Sequence, residues 1–363
     1  MKMESVAATK LLDFNIDKSC YIVIGRNKRR QELIKQLDEN PLELCGNKMK
    51  ENDSIKYLGD YISCKGLKDS ISVTVARRKG VVAKASYEIK SVVEDFRSHT
   101  VGGLMAGLDL WEMAVIPMIM YNAETWQEID TASIKALENM QFEFLRCLFA
   151  VGSGCPLPIL LSETGSILME LRILQKKVLF LHHLEHLEDG SLAKEVYRSQ
   201  TRMGLTGILS ECSDFLARFG LHDLHGFSKE HFKKVVKEKI RILNKEKIID
   251  LVKKKQYKKV KIETLNSDDF TRKEYLSNLN VSDARIKFRL SSNMLQTVKM
   301  NFQSDPLYRD SLWSCNDCGK IDTQQHLLYC EGYKIYRQGK DLDNDADLVR
   351  YVKSILQHRL DDL

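Results

Sequence analysis

Long apolar stripes at helical spacing, interrupted by only five prolines in 363 residues, constrain this chain more than any other feature. Over residues 70–97, Ile71, Val75, Val82, Ile89 and Val92/Val93 recur at roughly helical intervals, with Arg77, Arg78, Lys79, Lys84 and Lys90 between them. Over 131–150, Leu137, Met140, Phe144 and Leu148 form one stripe. Over 166–188, Leu171, Leu174, Val178 and Leu181 do the same. Ile173, Leu179 and Leu184 load the other faces of that segment, as in a helix central to its bundle. Gly152–Gly154 and Pro156–Pro158 punctuate between these segments, and further helices are expected at 191–202 and 207–219. Proline ends or kinks helices, so a chain this poor in it can sustain long ones. An all-β sandwich, which needs many Gly/Pro turns, is excluded.

The first seventy residues read differently. A helix over 2–13 leads to a turn at Asn15–Asp17, a strand-like run SCYIVIG (19–25), and a polar helix over 28–39 that stops before Pro41. Strand candidates follow around Leu42–Cys45, Lys48–Glu51 and KYLGDYIS (56–63). The expected fold class is mainly α with a small α+β N-terminal remnant, followed by a helical bundle. The segment nearest to a membrane span, 103–121, contains Asp109, Glu112 and Pro117, and a central Asp costs about 2.5–3.5 kcal/mol on insertion scales. It reads as buried helix, with no membrane partner expected. Cys20, Cys45, Cys64, Cys147, Cys155 and Cys212 are scattered without close pairing, which suits a reducing compartment. With no signal-peptide pattern at the N-terminus, an intracellular location, nucleus or cytoplasm, is expected.

Net charge is only +6, but residues 229–261 hold fourteen Lys/Arg against four acids, and the other 330 residues sum to −4. Ile240, Leu243, Ile248, Leu251 and Val252 recur among these lysines, so the segment reads as a basic amphipathic helix ending in KKKQYKKVK. A Lys-rich helix can be merely a solvated face. Cations this dense, mostly without i,i+4 acid partners, instead point to a phosphate backbone. Lys233, Lys234, Lys237, Lys253, Lys254, Lys255, Lys258 and Lys259 are the candidate contacts.

The strongest local chemistry is SCNDCGKIDTQQHLLYC. Cys315 and Cys318 stand as CxxC, with His326 and Cys330 placed i, i+4 beyond them. A knuckle turn at CxxC lets backbone N–H groups face sulfur, Gly319 supplies the unusual φ, and a short helix brings His326 and Cys330 to one ion. Three thiolates and an imidazole close a tetrahedral site with no position for a catalytic water, which suits structural Zn²⁺. Elsewhere, His182 and His186 lack the Glu of HExxH and read as bundle packing. His222 and His225 flank a turn. The alternating acids Asp341, Asp343, Asp345 and Asp347 lack the Gly and Glu of a calcium loop and read as a solvated acidic linker. No phosphate-binding glycine loop, nucleophile elbow or other small-molecule motif is present in the sequence.

Taken in order, these pieces resemble the C-terminal part of a non-LTR (LINE-type) retrotransposon reverse transcriptase. LLDFNIDKS resembles that family's motif D through Asn15, Lys18 and Ser19, and KYLG resembles the primer-grip motif E through Tyr57, Leu58 and Gly59. IPMIMYNAETW (116–126) resembles its thumb signature through Pro117, Tyr121, Asn122, Glu124 and Trp126. LENMQFEFLR, LSETG and the CCHC cluster follow. The resemblance implies a partial palm over 1–68 and a helical thumb with its extension over 69–228. A basic helical linker over 229–310 and a zinc knuckle with tail over 311–363 would complete the chain. Lys18 would lie near nucleotide phosphates, and Arg77, Arg78 and Lys79 would contact the template–primer duplex. The sequence departs from the family by lacking the paired palm aspartates of an [FY]xDD motif that hold two metal ions, and Asp268–Asp269 and Asp361–Asp362 have other contexts. The expectation is a truncated protein that binds RNA or DNA without polymerising. Mg²⁺ would matter only with the missing palm. An active RNA-directed DNA polymerase whose palm lies outside this sequence, and an exapted zinc-containing adaptor, are the alternatives.

Overall fold

The computed structural model describes residues 7, 9–10, 13–25, 27–95, 100–204, 207–256, 270–295, 314–315 and 317–361. Most of the helix expected over 2–13 lies outside the described residues, as do Lys258, Lys259, Asp268–Asp269 and the side chain of Lys255. Described elements are mostly helical, with a small strand region near the N-terminus. The strands are β1 (Cys20–Tyr21), β2 (Glu43–Leu44), β3 (Asn47–Lys48), β4 (Lys50–Glu51), β5 (Ser54–Tyr57) and β6 (Asp60–Ser63). Helices run from α1 (Asn27–Glu39) through α2 (Leu67–Asp95), α3 (Gly103–Leu110), α4 (Ile116–Ile119), α5 (Thr131–Phe149), α6 (Leu157–Thr164) and α7 (Met169–Glu185). Then come α8 (Leu192–Arg202), α9 (Ile208–Phe219), α10 (Lys229–Leu251), α11 (Tyr275–Asn278) and α12 (Val281–Ser291). The described chain closes with α13 (Gln324–Tyr329), α14 (Lys334–Arg337) and α15 (Asp345–Asp361).

Two compact units emerge, each gathered from separated segments: Met1–Ala83, Pro117–Met140 and Met169–Ile240 in one, Lys84–Ile116, Gln141–Leu168 and Arg241–Leu363 in the other.

In the first unit β1 pairs parallel with β4, while β2–β3 and β5–β6 are antiparallel. The run SCYIVIG is a strand only at its start. Arg30 of α1 donates Nε–H to the Val23 carbonyl at 3.2 Å and reaches Glu51 and Asp53 at 2.8 and 2.9 Å. A guanidinium thus takes a carbonyl that a longer ladder would have used. The outer N–H groups of β6 are met in a similar way. Tyr61 N–H donates to Thr74 Oγ1 at 2.9 Å and Ser63 N–H to Ser70 Oγ at 2.8 Å, both from α2. Ile71, Val75 and Val82 of the same helix are buried, as expected from their spacing.

Helix α7 is apolar on several faces and buries Leu171, Ile173, Val178, Leu181 and Leu184. It also buries Lys177, which pairs with Glu211 of α9 at 2.5 Å. His182 accepts its expected packing role, stacked on Phe232 at 4.4 Å between centroids, with Nε2 at 3.1 Å from the Phe227 carbonyl. Burial lowers its pKa.

In the second unit Trp111 stacks on Phe144 at 4.1 Å and 7°. The segment 103–121 is not one regular helix. Trp111–Val115 forms a π turn between α3 and α4, just ahead of Pro117, which has no N–H to donate. Asp109 pairs with Arg272. No described helix is long and apolar enough to cross a membrane. The acids 341–347 are not all linker, since Asp345 and Asp347 lie in the first turn of α15, where the helix dipole favours them, and Asp345 pairs with Lys287 at 2.5 Å.

Candidate metal centre

The Cys/His cluster is built from a reverse turn and a short capped helix. Ser314 and Ile321 form an antiparallel bridge, Cys315 N–H donates to the Lys320 carbonyl at 2.7 Å, and Gly319 N–H returns to the Cys315 carbonyl at 2.8 Å. Gly319 takes φ 69°, the left-handed conformation this turn requires and glycine adopts without strain. Thr323 then caps α13, its Oγ1 accepting the His326 N–H at 3.0 Å. That cap fixes His326 on the first turn of the helix, and Cys330 stands at its C-terminal cap.

The result brings all four expected ligands together. Their donor atoms lie within 4.8 Å of one another, the one such group among the described residues able to hold a metal ion. Cys315 and Cys330 sulfurs are 3.9 Å apart, Cys318 and Cys330 sulfurs 3.5 Å, and Cys318 Sγ lies 3.2 Å from His326 Nε2. A tetrahedral ion bound about 2.3 Å from sulfur and about 2.0 Å from nitrogen would require S–S edges near ~3.8 Å and S–N edges near ~3.6 Å. These three edges fall within a few tenths of an ångström of those values, and with every pair inside 4.8 Å the set could hold such an ion after a small contraction.

Its surroundings are apolar. Cys315 and Cys330 belong to a buried cluster with Leu290, Leu295, Leu327, Tyr333, Tyr351, Val352 and Ile355. Backbone hydrogen bonding at Lys320 lowers the Cys318 pKa. Burial, by contrast, pushes the Cys330 thiol up to about 11, against a backbone hydrogen bond at Gly332. The positive charge of an ion would offset that burial. Gly332 permits the approach, because a Cβ there would fall 2.5 Å from Asp317 Cβ.

The ligands were legible from spacing, but the helix behind them was not. Val349, Val352 and Ile355 of α15 are fully buried, and their i, i+3, i+6 spacing was the available signal.

The candidate phosphate contacts divide. Arg77 and Lys79 are exposed on α2. Arg78 is not free in the same way: it donates to the carbonyls of Ile119 and Tyr121 at 2.9 and 3.0 Å, and pairs with Asp60 at 2.5 Å. Its guanidinium also lies over the Trp126 ring at 5.2 Å. The side chain is 12% exposed and joins β6 to the 119–126 segment. On α10, Phe232, Val236, Ile240, Leu243 and Ile248 are buried while Lys233, Lys234 and Lys237 face solvent. Lys253 and Lys254 are exposed in the π turn Val252–Gln256 that follows. Lys18 is exposed at the end of a 3-10 turn, Ile16–Lys18, that Asn15 caps at 3.0 Å and Ser19 closes at 2.8 Å. Tyr57, Leu58 and Gly59 form the tip of the β5–β6 hairpin. Tyr57 is 61% and Leu58 70% exposed, the latter at φ 46°.

Comparison with protein-family models, with curated proteins and with solved structures finds no match.

Proposed function

We propose that this protein binds RNA or DNA in the manner of the thumb and zinc-bearing tail of a non-LTR retrotransposon reverse transcriptase, without polymerising on its own. The observation that carries the reading is the division of α10 into a buried apolar stripe and an exposed row of lysines, inside a segment whose net charge is +10. A packed helix that faces solvent with closely spaced cations matches a polyanion's regular negative charge. Arg77 and Lys79 on α2, and separately Lys253 and Lys254 after α10, are further exposed cations suited to phosphate.

The ion assigned to the Cys3His set is Zn²⁺, in a structural role. The donors are soft and tetrahedral in disposition, and four protein ligands leave no open position for a water nucleophile. The sequence contains no paired aspartates in an [FY]xDD context, so no residue here is assigned to phosphoryl chemistry. The exposed hairpin tip Tyr57–Gly59 and the capped turn bearing Lys18 are consistent with their motif E and motif D readings.

A mobility-shift titration against an RNA hairpin and a DNA duplex of matched length tests the reading. Affinity should fall linearly with log salt concentration, with a slope of about −0.9 per phosphate neutralised on duplex DNA. Absence of binding, or binding indifferent to salt, refutes nucleic acid as the partner and favours a protein-binding adaptor. Primer extension by this chain with Mg²⁺ would overturn the non-catalytic part.

A further inference from the structure

We infer that Tyr333 and Arg359 are positioning residues of the metal centre, which makes the terminal helix α15 part of that centre. The inference rests on the reading that the Cys3His set holds zinc.

Tyr333 is 1% exposed, and its hydroxyl lies 3.4 Å from Cys315 Sγ while accepting from Arg359 Nε at 3.0 Å. A phenol has one proton to give. With Arg359 donating to the oxygen, that proton is left for the CxxC turn, where Cys315 Sγ and the Asp317 carboxylate are its acceptors, and a metal-bound thiolate at Cys315 requires such a donor. The guanidinium continues past Tyr333. Nη1 and Nη2 donate to the two oxygens of Asp322 at 3.0 and 2.6 Å, a bidentate pair. Asp322 is fully buried, where a carboxylate needs charge-assisted partners, and Arg359 supplies a bidentate one. It immediately precedes Thr323, whose side chain caps the turn carrying His326. One arginine therefore ties together the two chain segments that supply the ligands, reaching Cys315 through Tyr333 and His326 through Asp322 and Thr323. His358, its neighbour on α15, adds a contact to Asp317 at 3.1 Å, inside the CxxC turn.

The electrostatics agree with this arrangement. Three thiolates around a divalent ion leave one net negative charge in an apolar cluster, which is costly unless hydrogen bonds spread it. The Tyr333 hydroxyl faces Cys315, and backbone hydrogen bonds at Lys320 and Gly332 favour the thiolates of Cys318 and Cys330. The latter two contacts come from backbone close to the ligands themselves. Only the first depends on a side chain, and that side chain depends on α15.

The test uses the full chain, with zinc affinity measured by competition against a chromophoric chelator, and Co²⁺ as a spectroscopic substitute. Tyr333→Phe removes one hydroxyl and keeps the ring, and Arg359→Gln removes the charged fork. Each should weaken zinc binding about 10–100-fold, the usual effect of losing a ligand's supporting partner. In Tyr333→Phe the thiolate-to-cobalt charge-transfer band should move to longer wavelength, a change that mere loss of packing elsewhere would not produce. Wild-type affinity and an unmoved band in Tyr333→Phe would overturn the inference even if Arg359→Gln failed to fold. A wild-type chain that binds no zinc would instead overturn the metal reading itself, and this inference with it.

Discussion

Glu138 offers a sharp test of how α5 and α7 are joined. Its Oε1 accepts the N–H groups of Met169 and Glu170 at 2.6 and 3.3 Å, two of the donors left over at the start of α7. Its Oε2 is buried without a hydrogen-bond partner among the described residues. Burial outweighs the favourable N–H contacts and pushes the carboxyl from 4.5 up to about 7. The folded chain therefore holds this proton more tightly than the unfolded one. The stability it contributes is complete below pH 4.5 and is lost as pH rises to about 7. At 1.36 kcal/mol per pH unit the span corresponds to about 3 kcal/mol, and partial access of solvent reduces this toward about 2 kcal/mol. Glu138→Gln keeps an acceptor for the two N–H groups and has no proton to lose. Its stability relative to wild type should rise by about 2 kcal/mol between pH 5 and pH 8, read as a urea midpoint shift of roughly 0.5–1 M. Other titrating groups, His182 among them, are common to both proteins and cancel in the difference. An offset between variant and wild type that is the same at both pH values would refute the reasoning.

Three further outcomes are expected. Elemental analysis should find about one zinc per chain, and His326→Ala should lose it. A metal-free wild type would remove the assignment. Arg78→Met should destabilise the chain by about 3 kcal/mol in urea unfolding, because Asp60 is left with its partner gone in a largely buried pair. A loss below ~1 kcal/mol would show that the Arg78 network is peripheral. Replacing Lys233, Lys234 and Lys237 together by Gln should leave thermal stability unchanged, since all three are exposed, and should reduce the salt slope on duplex DNA by about 3. An unchanged slope would take α10 out of the interface.

Periodicity was the legible part of this fold. Leu137, Met140, Phe144 and Leu148 are each nearly or fully buried, and helices at Leu192–Arg202 and Ile208–Phe219 fall where the pattern put them. The metal ligands were legible for a related reason. CxxC and an i, i+4 pair are local geometries, each fixed by one turn of backbone. What stayed hidden depends on contacts distant in sequence. SCYIVIG looks like a full strand, yet its extent is limited by Arg30, which reaches Val23, Glu51 and Asp53 together. The four alternating aspartates mask a helix start, because the stripe behind them only becomes meaningful once the Cys/His cluster supplies something to pack on. The role of Arg78 could not be read from the run Arg77–Arg78–Lys79. Three adjacent cations look alike until Asp60, two carbonyls and Trp126 claim the middle one.

Cations divide their work in this protein by residue type and burial. Arg78, Lys177, Lys194, Arg285 and Arg359 are largely buried and paired: Lys177 with Glu211, Lys194 with Asp189, Arg285 with Glu94 at 2.7 Å, and Arg359 with Asp322. Arg285 also places Nε and Nη2 on the Leu148 carbonyl at 3.0 and 2.7 Å, satisfying the end of α5. The arginines in this group use a planar fork to bind carboxylates and carbonyls, a task lysine does poorly. The exposed cations of α10 are lysines at five positions, Lys229, Lys233, Lys234, Lys237 and Lys247, against one arginine, Arg241, and lysines are compact point charges on flexible stems. Fixed arginine forks read planar, bidentate targets, whereas flexible lysines follow a phosphate backbone without selecting a base. The distribution of the two residue types therefore argues that any contact made by α10 recognises charge and backbone shape.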